Sequence, residues 1–219
     1  MKWVKISRFS ALLLSFIPKV ILKIIVLKLK LFEFIEDTKN TQVPVTFELW
    51  YVQQIQRHCP QAYWPIHPTS TVVCPEMIYC GIETSPGYMP GNYIQGYGGI
   101  YVGDYTQIGP NVGILSSNHG LGDNRIAEFS AVILGKYCWV GMGAIILPGV
   151  ELGDYTIVAA GAIVSKSYPL GYCVIGGNPA KIIKNLDKEE CIRHQSQNEY
   201  NGYIPTADFE KFQRKYLSI

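Results

Sequence analysis

Branched aliphatic residues recur every six positions along the middle of this chain. They stand at Val102, Ile108 and Ile114, and resume at Leu134, Val140, Ile146, Leu152, Val158 and Val164. The residue that follows is usually tiny, as at Gly103, Gly109, Gly135, Gly141, Gly153 and Ala159. A period of six fits neither an amphipathic helix, with its period of 3.6, nor a half-buried strand, with its period of two. It predicts a parallel β-helix in which each six-residue unit makes one flat face of a triangular coil. Three units close a coil, so Leu134 should stack on Leu152, Val140 on Val158 and Ile146 on Val164. The aliphatic side chains then fill a narrow prism core, and the small residue lets the backbone turn a corner. The expected fold class is mainly β.

The beat breaks once. Ile114 and Leu134 are twenty residues apart, two more than a full coil. The stretch His119–Ser130 is polar and Gly-rich, so it is expected to leave the prism as a loop, and insertions in repeat folds commonly sit on the binding face. Upstream, residues 43–98 are aromatic-rich and punctuated by Pro and Gly. They read as a capping region with the first irregular coils, since the end of a solenoid must be closed, and a helix is expected over 46–58. The repeat core is assigned to residues 99–180. Residues 181–219 read as a helical tail, with helices over Asp187–Asn198, capped by Asp187, and Asp208–Tyr216, both against an end of the prism.

Residues 1–42 form a basic, apolar arm with a helical segment. Its charged start and the apolar run Ala11–Ile17 resemble a signal peptide, but no small-x-small cleavage site follows and lysines keep recurring, so export is not expected. The longest run without charge is about ten residues, too short to span a bilayer. Lys19 and Lys23 lie one helical turn apart. A basic helix in the plane of a membrane interface, with peripheral contact through residues 1–40, and an arm packed on a neighbouring subunit both fit. The alternation over Leu27–Phe34 also permits a strand.

Net charge is +2 over 219 residues, unevenly spread. Residues 1–40 hold eight Lys/Arg and three Asp/Glu, whereas the remainder holds eleven and fourteen. The repeat region is therefore not a nucleic-acid surface. The six cysteines form no CxxC pair and sit in apolar settings, which favours buried free thiols in a reducing, cytoplasmic compartment over a zinc site or a disulfide framework.

Of four histidines, only His119 lies within the repeats. It closes Leu115-Ser-Ser-Asn-His119 and opens the ejected loop, where an outward imidazole could serve as general base for a hydroxyl. A backbone carbonyl or an acid such as Asp123 would orient its other nitrogen equally well. A metal-dependent hydratase would need three converging histidines, so no metal is expected.

Ser116-Ser-Asn-His119, the run Gly135–Gly149, Ala159-Ala-Gly-Ala-Ile-Val-Ser-Lys166 and the exit Gly177-Asn-Pro-Ala-Lys181 resemble the hexapeptide-repeat acyltransferases over roughly residues 65–186. The finer details Trp64-Pro-Ile-His-Pro68 and Tyr93–Gly99 are similar to the branch that O-acetylates sugars in capsule and surface-polysaccharide assembly. The resemblance implies a left-handed coil, against the usual right-handed crossover, and a homotrimer with a site at each cleft between prisms. It implies acetyl-CoA as donor, a sugar or glycan acceptor, and direct transfer with His119 as base. It assigns Asn92 and Trp139 to the acceptor side. It assigns Met142, Gly143 and Ala160 to the pantetheine arm, Ser165 and Lys166 to the adenine end, and Lys181 and Lys184 to the coenzyme phosphates. The site of action would be the cytoplasm, at the inner face of the membrane. The alternatives are a serine or xenobiotic O-acetyltransferase, although the Asp-His motif of a serine acetyltransferase is absent, and a non-catalytic β-helix trimer scaffold.

Overall fold

A computed structural model of the chain describes residues 6–28 and 32–219. Its centre is a three-faced parallel β-helix. The first face holds Thr71–Val73, Tyr93–Gln95, Gly113–Leu115, Ile145–Ile146 and Ile163–Val164. The second holds Ile78–Cys80, Ile100–Val102, Val132–Leu134 and Glu151–Leu152, and the third Gln107–Ile108, Trp139–Val140, Thr156–Val158 and Cys173–Gly177. The stacking expected from the six-residue beat is present: Leu134 pairs with Leu152, Val140 with Val158 and Ile146 with Val164, all in parallel register. Across the break, Val102 pairs with Leu134, Ile108 with Val140 and Ile114 with Ile146. Every aliphatic residue of the beat is buried, Ile108 being the most exposed at 7%. The first coils are longer, with Cys80 stacked on Val102 and Tyr93 on Gly113, as expected of the end of a solenoid.

The small residue after each aliphatic has a different cause from the one expected. Gly103, Gly135 and Gly141 do not have positive φ. What they lack is room: a Cβ on Gly135 would lie 2.5 Å from the backbone nitrogen of Asp154, and one on Gly141 2.7 Å from that of Ala160. Successive coils touch backbone to backbone there. The left-handed residues come two positions later at one corner, at Tyr105, Tyr137 and Tyr155 with φ of 58°, 56° and 55°, a costly conformation for a bulky side chain. Their rings stack in a ladder that continues to Tyr172, with centroids 5.3, 4.9 and 5.1 Å apart, and offset stacking of this kind is favourable beyond area burial.

The ladder explains the failure of one predicted helix. No helix forms over Asp187–Asn198. The segment runs along the tyrosine corner and takes its hydrogen bonds from it: the Tyr137 hydroxyl donates to the His194 carbonyl and that of Tyr155 to the Ile192 carbonyl, both at 2.9 Å. The Tyr105 hydroxyl donates to Glu199 at 2.9 Å and accepts from the Ser196 amide at 3.1 Å. The expected boundary after residue 180 also falls inside a strand. Ala180–Asn185 turns back through the cis Asn178–Pro179 peptide and pairs antiparallel with Cys173–Gly177. The coil thus continues onto the third face after Val164.

The helices are α1 (Arg8–Ser15), α2 (Lys19–Lys28), α3 (Glu33–Asp37), α4 (Phe47–Gln54) and α5 (Thr206–Tyr216). α4 begins where Thr46 accepts from the Leu49 amide and stops short of residue 58, because Arg57 and Cys59 take positive φ. α5 does not cover the late coils. Phe209 and Phe212 pack on Tyr63, and Phe209 also meets Tyr79, closing the starting end of the prism. The alternation over Leu27–Phe34 lies partly outside the described residues, with Leu27 and Lys28 in α2 and Glu33 and Phe34 in α3. Lys2 and Lys5 also lie outside them. All six cysteines are free; Cys80, Cys138 and Cys173 are buried and the other three half-buried. Burial pushes the Cys138 thiol up to about 11.

Two predictions follow from the coil contacts. Gly141→Ala should cost about 1–3 kcal/mol through overpacking, lowering the melting temperature, whereas Gly122→Ala, with open space around it, should leave it unchanged. Tyr155→Phe removes one buried-corner hydrogen bond, worth about 1 kcal/mol. Limited proteolysis should then cut within 187–198 faster than in the unaltered chain, with the prism intact.

Candidate active site

Where the beat breaks, the chain leaves the corner between the first and second faces. The expected excursion is present and is built as a hairpin. Ser117–His119 pairs antiparallel with Ala127–Phe129, with His119 opposite Ala127. The hairpin's base is tied to the prism, since the Ser130 amide donates to the Ser116 carbonyl at 3.0 Å and the Gly98 amide to the buried Ser116 hydroxyl at 2.9 Å. Two ordinary coils can therefore stack above and below a large ejection without losing register.

His119 is exposed at the end of the first hairpin strand, with its amide bonded to the Asn118 side-chain oxygen at 3.0 Å. Its Nδ1 lies 2.7 Å from the Asn124 carbonyl oxygen. A carbonyl can only accept, so Nδ1 carries the proton and, with the ring neutral, Nε2 carries the free lone pair. The tip that supplies this carbonyl is braced. The Ile126 amide donates to the Asp123 carbonyl, the Gly120 amide to the Ile126 carbonyl, and Arg125 grips the Asp123 carboxylate through Nε at 2.8 Å and Nη2 at 2.7 Å. The Arg125 guanidinium holds the Asp123 carboxyl below the usual carboxylate range. Of the two orienting groups the sequence left open, the backbone carbonyl is the one in place, and Asp123 serves it from behind.

The remaining residues singled out by sequence fall at three places. Ser165 and Lys166 are exposed at the same corner as the hairpin, in the last coil. Met142, Gly143 and Ala160 share the corner between the third and first faces; the Gly161 amide donates to the Met142 carbonyl at 2.9 Å, and nothing lies within 4 Å of where a Gly143 side chain would begin. Trp139 is 58% exposed on the third face, between Gln107 and Ile157. Lys181 and Lys184 are exposed on the antiparallel strand that edges that face. Within one chain, His119 and the Trp139–Met142–Ala160 group are thus separated by the width of the first face.

Asn92 is corrected by the structure. It is 2% exposed, its Nδ2 donates to the Gly109 carbonyl at 2.8 Å, and its amide donates to Ser70 Oγ. It belongs to an interior row with Ser70, Val112, Ala144 and Ala162, all buried. It is not exposed within this chain, and its Oδ1 is buried with no hydrogen-bond partner among the described residues. The sequence reading missed the polar pair that stands beside the hairpin instead: Ser117 Oγ and Gln95 Oε1 are 2.9 Å apart. It also missed Tyr97 and Phe129, both exposed, with ring centroids 6.4 Å apart. Ser117, Gln95 and Tyr97 lie inside the stretches Ser116–His119 and Tyr93–Gly99 that carry the resemblance, but the resemblance gives no single residue there except His119 a role. Among the described residues, no group of three His, Cys, Asp or Glu could hold a metal ion.

The family model described as bacterial transferase hexapeptide (six repeats) matches residues 131–166, the part of the beat that runs from Leu134 to Val164. A Dictyostelium discoideum protein whose name proposes an acetyltransferase is 42% identical over 106 residues, covering 43% of this chain and 55% of the relative. An Escherichia coli (strain K12) protein whose name proposes lipopolysaccharide-biosynthesis O-acetyl transfer is 34% identical over 103 residues, covering 41% and 52%. The match spans about half the length of these curated relatives. In fold, the chain is similar to a hexapeptide-repeat acetyltransferase from Vibrio cholerae O1 biovar eltor solved with acetyl-CoA, with a TM-score of 0.50, 23% identity and coverage of 64% and 83%. Over the matched part of its length the chain is similar to hexapeptide-repeat acetyltransferases.

The tautomer is directly measurable. Long-range proton–nitrogen NMR on the neutral ring should show His119 protonated at Nδ1. An Nε2–H pattern would contradict the geometry above.

Proposed function

We propose that this hexapeptide-repeat chain is an acetyl-CoA-dependent O-acetyltransferase that modifies a sugar hydroxyl, with surface-polysaccharide precursors as the acceptor class. The observation that carries the reading is the His119 ring, exposed on a braced hairpin with Nδ1 spent on the Asn124 carbonyl and Nε2 left as the base. The acceptor hydroxyl gives its proton to Nε2 while its oxygen attacks the thioester carbonyl carbon. The tetrahedral intermediate collapses with loss of the coenzyme thiolate, which takes the proton back from the imidazolium. No acyl-enzyme forms, and none of the chemistry asks for a metal.

The division of site residues between two corners supports a homotrimer of left-handed prisms, in which one chain's hairpin faces a neighbour's third-face corner. Met142, Gly143 and Ala160 would receive the pantetheine arm along backbone that small residues keep open. Ser165 and Lys166 would meet the adenine end, and Lys181 and Lys184 the phosphates, as point charges. Trp139 would wall the cleft, with Tyr97 and Phe129 as flat apolar surfaces for a sugar ring and the Gln95–Ser117 pair for its hydroxyls. The relatives named for acetyl transfer and for lipopolysaccharide biosynthesis, and the acetyl-CoA in the V. cholerae structure, support the donor and acceptor classes. The free thiols support a reducing, cytoplasmic setting.

The test is coenzyme-thiol release from acetyl-CoA against a panel of sugars, lipid-linked glycans, serine and chloramphenicol. Turnover is expected on a glycan acceptor, and His119→Ala should lower kcat by about 10²–10⁴ with the trimer unchanged by light scattering. Turnover on serine or chloramphenicol alone would replace the acceptor class. Turnover untouched in His119→Ala would remove His119 as the base.

A further inference from the structure

We infer that the α1–α2 pair is a docking surface for an anionic lipid bilayer, on which it lies without crossing. The inference does not depend on the enzymatic reading. The two helices meet at 113° around Pro18. Each uses one side to join a second apolar core, where Ala11, Leu22 and Val26 are buried with Trp50 and Tyr51 of α4. The other side is also apolar and faces outward. Phe9 is 70% exposed, Phe16 77% and Val20 70%, with Leu12, Leu13 and Ile24 about half exposed. This many exposed apolar side chains on two adjacent helices, over and above what the chain's own core needs, point to a partner.

Charge and length decide which partner. The first 32 residues contain seven Lys/Arg and no Asp or Glu. Lys23 is held by Glu48 of α4 at 2.5 Å and the Lys19 ammonium sits over the Tyr51 ring, so α4 takes up these two, while Arg8 and Lys28, exposed at the start of α1 and the end of α2, flank the apolar surface. An apolar face rimmed by basic residues fits a membrane interface with anionic headgroups. A second copy of the same face fits poorly, because a two-fold contact would bring each copy's basic residues against the other's. Among the described residues no single helix is long and apolar enough to cross: the ten residues of α2 extend about 15 Å, half of a hydrocarbon core of about 30 Å, and although α1 and α2 together have the length and composition of a broken span, they bend by 113° and bury one side in the chain's own core.

Flotation of the full chain with vesicles tests this. The protein should float with phosphatidylglycerol–phosphatidylethanolamine vesicles, bind phosphatidylcholine vesicles about tenfold less well or weaker, and be released by raised salt. Phe16→Glu with Ile24→Glu should lower partitioning by about tenfold or more at an unchanged melting temperature; should that pair fail to fold, Phe9→Ser is the milder change and should weaken binding in the same direction. Absence of flotation by the folded chain, or equal binding to neutral vesicles, would overturn the inference. So would extraction-resistant insertion, which would mean spanning. Conversion of a larger assembly into a smaller one by the Glu variants, without vesicle binding, would assign the face to a second copy.

Discussion

Everything in this molecule rests on how closely one coil can lie on the next. At Gly135 and Gly141 the backbone of the following coil occupies the space a Cβ would need. That contact fixes the height of a coil. Once it is fixed, the aliphatic residue just before each corner falls onto its counterpart above and below, and the core becomes a column of buried Val, Leu and Ile. Burial of such side chains supplies the main favourable term, but the column forms only because the corners allow it. The tyrosine ladder adds a second column outside the first. Its left-handed backbone positions are costly one by one, and the ring stack and the extended 187–199 segment laid across the hydroxyls offset that cost together.

The same stacking explains why the hairpin can exist. A coil is held by its neighbours on both sides, so one corner can eject a long segment without disturbing the pairs Val102–Leu134 and Ile114–Ile146 on either side of it. The prism supplies a rigid platform, and the hairpin supplies a histidine whose ring is held by main-chain geometry. His119 owes its orientation to a carbonyl, and that carbonyl owes its position to the Asp123–Arg125 clasp. A side chain acting on the ring directly would have shown in the sequence as an acid at a suggestive spacing. A carbonyl leaves no such trace, which is why the residues alone could not choose between Asn124 and Asp123.

The repeat was fully legible because its signal is periodic and redundant: each in-register pair is implied by many residues at once. Position in the core was therefore readable down to individual contacts, such as Ile146 on Val164. Single-residue inferences fared differently. Asn92 lies in the irregular early coils, where the spacing to the next coil is not eighteen, and a shift of one position turns an outward side chain inward. The 187–198 segment has a helix-like composition, but its hydrogen-bond partners are tyrosine hydroxyls brought together only by stacking, so local preference lost to a tertiary interaction. α5 was recognisable as a helix from its own pattern. Its place at the starting end of the prism was not, because nothing local encodes a return along the whole length of the coil.

The return of the chain has a consequence for the proposed chemistry. The extended segment and the ladder cover the corner between the second and third faces, while α5 and α4 close the starting end. The corners left open are the one that ejects the hairpin and the one lined by Met142, Gly143 and Ala160. In a three-sided prism those two corners bound the first face, so a cleft between adjacent prisms can pair the base of one chain with the open corner of another. The repeat then sets where donor and base can meet, and differences among acceptors would be written in the hairpin and the aromatic early coils. The basic helices sit beside those early coils, packed on α4. A glycan precursor carried in a membrane would on this arrangement be presented to the aromatic early coils, and not to the late coils of the repeat.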